Sequence, residues 1–296
     1  MHDIKMIREE ANYFDSQLKK RNSNISSNDI LKIDKNIREV LSELQLLKEK
    51  RNLVSKNIGL MIKQGENVIE SQNEVKEIKK KISILEKQLK EKEYKLKEIL
   101  TNIPNILEDD VPYGISQESN IIIKNWGDIP KFDFKVKDHV DLTKNQNLDF
   151  ELGSKITGSR FVFIKNDLAF LERALINFML DINVSKFNRE EISPPYIVNS
   201  ASLFGTGQLP KFEDDLFKLD LGKWLIPTSE VPLTNIVREK ILDENDLPLN
   251  YVAYSPCFRS EAGAAGKDTR GMIRQHQFSK VEMVSIVKPE HSDEKL

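Results

Sequence analysis

Apolar residues between positions 29 and 101 recur at alternating steps of three and four. Ile30, Ile33, Ile37, Val40, Leu44, Leu47, Val54, Ile58 and Met61 make a first run, interrupted only at Arg51. Val75, Ile78, Ile82, Leu85, Leu89, Leu96 and Ile99 make a second, with Lys92 in the missing slot. A mean spacing near 3.5 keeps apolar side chains on one seam of a helix and calls for a coiled-coil partner. No proline falls between Met1 and Asn102, and Gly65 gives Lys63-Gln-Gly-Glu-Asn67 the freedom to reverse the chain. The two runs therefore predict an antiparallel helical hairpin, with legs of about 33 residues and about 50 Å. Such a pair has little core of its own. It either projects from a body as an arm or joins two chains as a dimerisation coil, and periodicity supports both. Ahead of it, Ile4 to Arg21 predicts one shorter helix and Asn22 to Asn28 a polar loop. Ser27 or Asn28 is the expected N-cap of the first leg.

After Asn102-Ile-Pro-Asn105 the texture changes. Glu108 to Gly114 is an acidic, turn-rich link, and prolines then appear regularly. Ile121 to Ile123, Phe161 to Ile164, Leu216 to Leu219 and Val281 to Val287 predict strands. Leu168 to Phe187 predicts an amphipathic helix with Leu171, Leu175, Phe178, Met179 and Ile182 along one side. The expected fold class is α+β, with a helical arm over residues 1–109 and a mixed domain over 110–296.

The 296 residues, 39% hydrophobic and 31% charged, suffice for one large domain plus a smaller module. Mean hydropathy is −0.46, and no apolar run approaches the ~20 residues of a membrane span. Met1 to Glu10 is charged throughout, unlike a signal peptide. The expectation is a soluble, cytoplasmic protein. Cys257 is the sole cysteine, which excludes an intrachain disulfide and a cysteine zinc cluster, and it reads as a small buried residue. His2, His139, His276 and His291 lack ligand spacing, so no metal site is expected. Positions 29–101 hold 17 Lys and Arg against 13 Asp and Glu, a mildly basic arm on a chain of net charge −2. That balance suits a nucleic-acid contact, and equally an ordinary solvated helix.

The chemistry-bearing stretch runs from Phe258 to Met283. Phe258-Arg-Ser-Glu261 reads as a strand end, followed by a loop holding Gly263, Gly266 and Gly271, then a second strand. The glycines admit close approach of a ligand to backbone, and Lys267, Arg270 and Arg274 add positive charge. A phosphate-and-base site fits this layout, as does a surface hairpin with scattered charges.

Phe258-Arg-x-Glu261, the loop and Arg274-x-x-x-Phe278 resemble motif 2 of class II aminoacyl-tRNA synthetases. Thr206-Gly-Gln-Leu-Pro-Lys-Phe212, Thr228-Ser-Glu-Val-Pro-Leu-Thr-Asn235, Phe258 to Gly263 and His276-Gln-Phe-Ser-Lys-Val-Glu-Met283 resemble the serine enzymes in particular. The N-terminal hairpin, Asn102-Ile-Pro-Asn105, Trp126-Gly127 and Gly158-Ser-Arg-Phe161 follow in the family's order, so the likeness runs over the whole chain. It implies an antiparallel-sheet catalytic domain that activates L-serine with ATP and passes it to tRNA-Ser, with tRNA-Sec as a further acceptor. Arg259 would be the catalytic cation at the α-phosphate. Ser260 and Glu261 would hold the nucleotide, Phe278 would stack on adenine and Arg274 would reach the outer phosphates. Thr228, Ser229, Glu230, Arg259 and Glu282 would contact serine. Lys267 and Arg270 would meet the tRNA acceptor end, and the hairpin would lie along the tRNA. Phe187 to Asn199 resembles motif 1, a homodimer element, with Pro195 at the motif's proline and Asn188 where glycine is typical.

The family's third motif, a glycine-rich strand and helix with an arginine, has no counterpart after Met283. The resemblance therefore implies an incomplete catalytic domain, Mg2+ ligands mostly outside this chain and little or no activity of the chain alone. The competing expectation is a non-catalytic homologue that binds tRNA or dimerises.

Overall fold

The computed structural model describes residues 2–114, 116–143, 147–264, 266 and 270–296. Its helices are α1 (Ile4–Glu9), α2 (Ala11–Lys20), α3 (Ser27–Lys63), α4 (Ile69–Asn102), α5 (His139–Thr143), α6 (Phe150–Ile156), α7 (Asn166–Phe187), α8 (Ser200–Gly205), α9 (Glu230–Thr234) and α10 (Ser292–Lys295). Its strands are β1 (Leu148–Asp149), β2 (Phe163–Ile164), β3 (Glu190–Glu191), β4 (Ile197–Asn199), β5 (Lys223–Leu225), β6 (Leu249–Phe258) and β7 (Gln277–Ile286). The chain divides into two compact units, Met1–Asp128 and Ile129–Leu296.

In the first unit α3 and α4 form the hairpin that the heptad seam calls for. Leu44, Ile78 and Ile82 are buried between the legs, flanked by Val40, Leu47, Leu85 and Leu89. Lys48–Glu86 at 2.8 Å and Lys50–Glu74 at 2.7 Å bridge the legs outside that seam. Gly65, at φ +73, turns the chain, a conformation that costs glycine little. The cap of α3 lies one residue before the expected pair: Ser26 accepts from the Asp29 N–H.

The expected single helix over Ile4 to Arg21 is two helices, broken at Glu10 with φ −126 and ψ 45. No glycine or proline marks the break. Tertiary contacts hold it: Arg8 clasps Asp34 of α3 with two hydrogen bonds, at 2.9 and 2.7 Å, and Asp15 accepts from the N–H and hydroxyl of Ser27. Ile7, Phe14 and Leu18 then close a core with Ile30, Leu100 and Ile103 at the open end of the hairpin. The Arg8 hydrogen bond, aided by the charges of Arg8 and Arg38, holds the Asp34 carboxyl below its ordinary pKa.

In the second unit β6 and β7 form a ten-residue antiparallel ladder, and β3 pairs parallel to β6 on its other side. The pairs β1–β2 and β4–β5 make two small antiparallel sheets. In the ladder Phe278, Lys280 and Glu282 stand opposite Cys257, Ser255 and Ala253. Period-two alternation puts all six on one face. Ala253, Ser255 and Cys257 are fully buried, and their small size lets other chain segments settle against that face. The opposite face meets α7, where the Ser279 hydroxyl donates to Glu172 at 2.7 Å.

Asn188 ends α7 in the left-handed conformation, φ 48 and ψ 44. Asparagine tolerates that region better than most residues, so it can take the place usual for glycine. Two of the four expected strands differ. Ile121 to Ile123 have no ladder partner and are 63–90% exposed. Leu216 to Leu219 contribute only the isolated bridge Lys218–Trp224.

Candidate active site

The Phe258 N–H donates to Ile226 O and the Arg259 N–H to His276 O, both at 2.9 Å. The first bond fixes the segment leading into α9 beside β6. The second extends the β6–β7 hairpin past its last ladder pair. Arg259 therefore leaves the sheet over β7, with its guanidinium carbon 5.4 Å from the Phe278 ring centroid. A cleft of about 350 Å3 opens here, and Thr228, Glu230, Arg259, Glu261 and Arg274 all line it, with Gln208 and Phe212.

At one end of the cleft the Thr228 hydroxyl donates to Glu282 Oε2 at 2.6 Å and accepts from the Glu230 N–H at 3.2 Å. Burial raises the Glu230 pKa, and the neighbouring Glu282 raises it further, while Lys280 and Arg259 oppose the rise. At the other end Arg274 pairs with Glu261 at 3.0 Å. Ser260 donates its N–H to Asp215 O at 2.9 Å and its hydroxyl to Asp214 O, and the Ala262 N–H reaches Asp215 Oδ1 at 3.0 Å. These bonds pin the strand-to-loop junction, where Glu261 takes φ +51. One cavity thus joins an aromatic ring, the guanidiniums of Arg259 and Arg274 and the carboxylates of Asp215, Glu230 and Glu261. It can receive an anion, a flat base and an ammonium group together.

The seryl-tRNA synthetase N-terminal domain family matches residues 1–107, and the tRNA synthetase class II core domain family (G, H, P, S and T) matches 211–296. Curated serine–tRNA ligases of Caldicellulosiruptor bescii and Acetivibrio thermocellus are 51% and 52% identical over the full chain, which spans 71% and 70% of their lengths. The chain belongs to the seryl-tRNA synthetase family. Among solved structures, the Pyrococcus horikoshii seryl-tRNA synthetase complexed with ATP superposes with a TM-score of 0.86 at 37% identity, covering the whole chain and 71% of that protein. The Naegleria fowleri cytoplasmic enzyme in complex with AMP gives 0.80 at 27%, covering 99% and 69%.

Thr228, Glu230, Arg259, Glu261 and Arg274 meet in this one cleft, and other residues singled out in the sequence lie elsewhere. Ser229, expected to touch serine, is fully buried and donates its hydroxyl to Ser255 at 2.6 Å. It supports the pocket from beneath. Lys267 lies outside the described residues. Arg270 is held by Asp138 at 3.1 Å, just before α5, and by Asp141 at 2.8 Å, in the middle of it. The adjoining Met272 N–H donates to Nε2 of His139 at 2.8 Å. Pro195 is exposed, and Pro194 beside it is buried. Cys257 is buried, which pushes its thiol pKa up and leaves it neutral, unsuited to nucleophilic work. Two features escaped the sequence reading. Asp215 anchors the junction from 45 and 47 residues upstream, and no local pattern marks it. Lys280 did have a signal, since it alternates with Phe278 and Glu282 along one strand.

Proposed function

We propose that this chain supplies part of the serine-activating site of its family, with Arg259, Glu261, Arg274 and Phe278 on ATP and Thr228, Glu230 and Glu282 on L-serine, and that full turnover also needs the third motif, which has no counterpart after Met283. A serine carboxylate oxygen attacks the α-phosphorus. The bond from that phosphorus to the bridging oxygen breaks, and pyrophosphate leaves with the electron pair. Arg259, permanently charged and planar, stabilises the charge growing on the α-phosphate. Phe278 stacks on adenine. Glu261 and Arg274, now paired with each other, exchange that pairing for the adenine amino group and the outer phosphates. Glu230 and Glu282 hold the ammonium and hydroxyl of serine. A site that bonds the hydroxyl discriminates against alanine, which would leave buried polar groups unpaired. In the second step the 3′-terminal hydroxyl of tRNA-Ser attacks the acyl carbonyl and AMP departs. tRNA-Sec, which carries the same serine, is a further acceptor.

The single observation carrying this reading is the shared cleft of Thr228, Glu230, Arg259, Glu261 and Arg274, with Phe278 beneath Arg259. The basic arm supports contact with the tRNA backbone. The exposed apolar side of α7, with Phe170 at 64% and Phe178 at 61%, supports a homodimer in which Pro195 lies at the contact. Among the described residues no helix is long and apolar enough to cross a membrane. Cytoplasmic placement belongs to the same proposal, because tRNA and ATP meet there. Magnesium accompanies ATP in the family, and among the described residues no group of three His, Cys, Asp or Glu could hold an ion.

Thermal unfolding with a non-hydrolysable seryl-adenylate analogue tests the reading. At a hundredfold excess over Kd, stabilisation of about 2.7 kcal/mol is expected. An unmoved midpoint, together with no heat of binding, would remove the assignment of the cleft.

A further inference from the structure

Glu282 is doubly held. Its Oε2 accepts from the Thr228 hydroxyl at 2.6 Å and from the Lys280 ammonium at 2.6 Å. A carboxylate oxygen has two lone pairs, so these donors fill Oε2 and leave Oε1 to a ligand. The lysine is not a loose surface partner: its side chain is 32% exposed and that of Glu282 is 22%. Both stand on the buried face of β7, two residues apart, with the ladder fixing their spacing. The same strand places Lys280 between Phe278, beneath the guanidinium, and Glu282, in the serine pocket.

Charge leads to the same residue. Glu230 and Glu282 bring two negative charges to one end of the cleft, and Arg259 brings one positive charge. Free serine is a zwitterion, and its carboxylate has to enter as the attacking group. Two carboxylates against one guanidinium would repel it. With Lys280 the four side chains sum to zero, which suits a zwitterion.

We infer that Lys280 is a positioning residue of the serine pocket: it locks Glu282 with one oxygen turned to the ligand and balances the charge of the two carboxylates. This rests on the serine-pocket reading above. Lys280 also opposes the burial that raises the Glu230 pKa, so its loss disturbs both acidic groups.

The test is calorimetric titration of the full chain with 5′-O-(N-L-seryl)sulfamoyladenosine, its alanyl counterpart and AMP. Lys280→Met keeps the length of the side chain and removes the charge. It should weaken the seryl compound roughly tenfold, the scale of one hydrogen bond to a charged group, and lower the seryl-to-alanyl ratio. AMP, which does not reach Glu282, should bind within about twofold of wild type, a shift well below one such bond. Lys280→Arg restores the charge and should recover most of the lost affinity. If Lys280→Met binds the seryl compound as wild type does, loses AMP to the same degree, or keeps its seryl-to-alanyl ratio, the inference falls. It falls too if the arginine variant is as weak as the methionine variant. A wild-type chain that binds AMP and neither aminoacyl compound would instead remove the serine pocket, and this inference with it.

Discussion

Glu230 sits where two demands oppose each other. Burial, and Glu282 beside it, raise its pKa, so holding its charge in the empty pocket costs more than it would in water. Pairing with a serine ammonium needs the carboxylate. Affinity for a seryl-adenylate analogue should therefore be full above the raised pKa and fall away as pH drops through it, at a higher pH than an ordinary glutamate would dictate. For the empty chain the sign reverses. A raised folded pKa gives stability that is present below the unfolded value and is lost as pH rises through the folded one. Glu230→Gln should thus raise the thermal midpoint of the unliganded chain at neutral pH, by about 2 °C, while weakening the analogue roughly 30-fold. Scanning fluorimetry and calorimetry on one preparation read both. Arg259 carries a different demand, for planar, multiple hydrogen bonding. Arg259→Lys keeps the charge and loses the fork, and should weaken the analogue by roughly tenfold or more; unchanged affinity would show that charge alone suffices there.

Elements differ in how locally they are specified. The long helix α3 begins at Ser26, whose hydroxyl is reciprocally tied to Asp29. Ser26→Ala should cost about 1 kcal/mol and lower the melting of the arm in far-ultraviolet dichroism, with little change at the cleft. The hairpin was legible because a heptad seam is a property of neighbours three and four apart, and every seam position is buried or half-buried in the folded arm. Ile121 to Ile123 show the opposite case. A run of β-branched residues is only an offer of pairing, and these three have no partner strand. The break at Glu10 was illegible because its cause is a clasp between residues 26 apart in the chain, Arg8 and Asp34. The site shows the same division. Arg259, Phe278 and Glu282 were marked by the motifs they stand in, and the β6–β7 ladder puts Phe278 and Glu282 on one face. The turning of Ser229 away from the cleft, and the pairing of Glu261 with Arg274, depend on contacts that no short window contains.

At the scale of the molecule, a helix that covers one face of the central sheet leaves a row of large apolar side chains to solvent. Phe170, Leu171, Leu175, Phe178 and Phe187 of α7 are all at least 48% exposed. Self-association over this surface should be abolished by Phe178→Asp, which buries a charge in any such contact; sedimentation velocity should then give a monomer that still binds AMP. The unit is also tied together across a long stretch of chain, because Arg270 reaches back 129 residues to α5. An RNA end arriving at this loop meets a guanidinium that already has two carboxylates as neighbours. In the function proposed above, its capture would be a swap of one anionic partner for another rather than the filling of an empty slot. Replacing Asp138 and Asp141 with asparagine should speed tRNA association in stopped-flow measurements and make it less choosy, since any phosphate chain could then seize the loop without displacing anything.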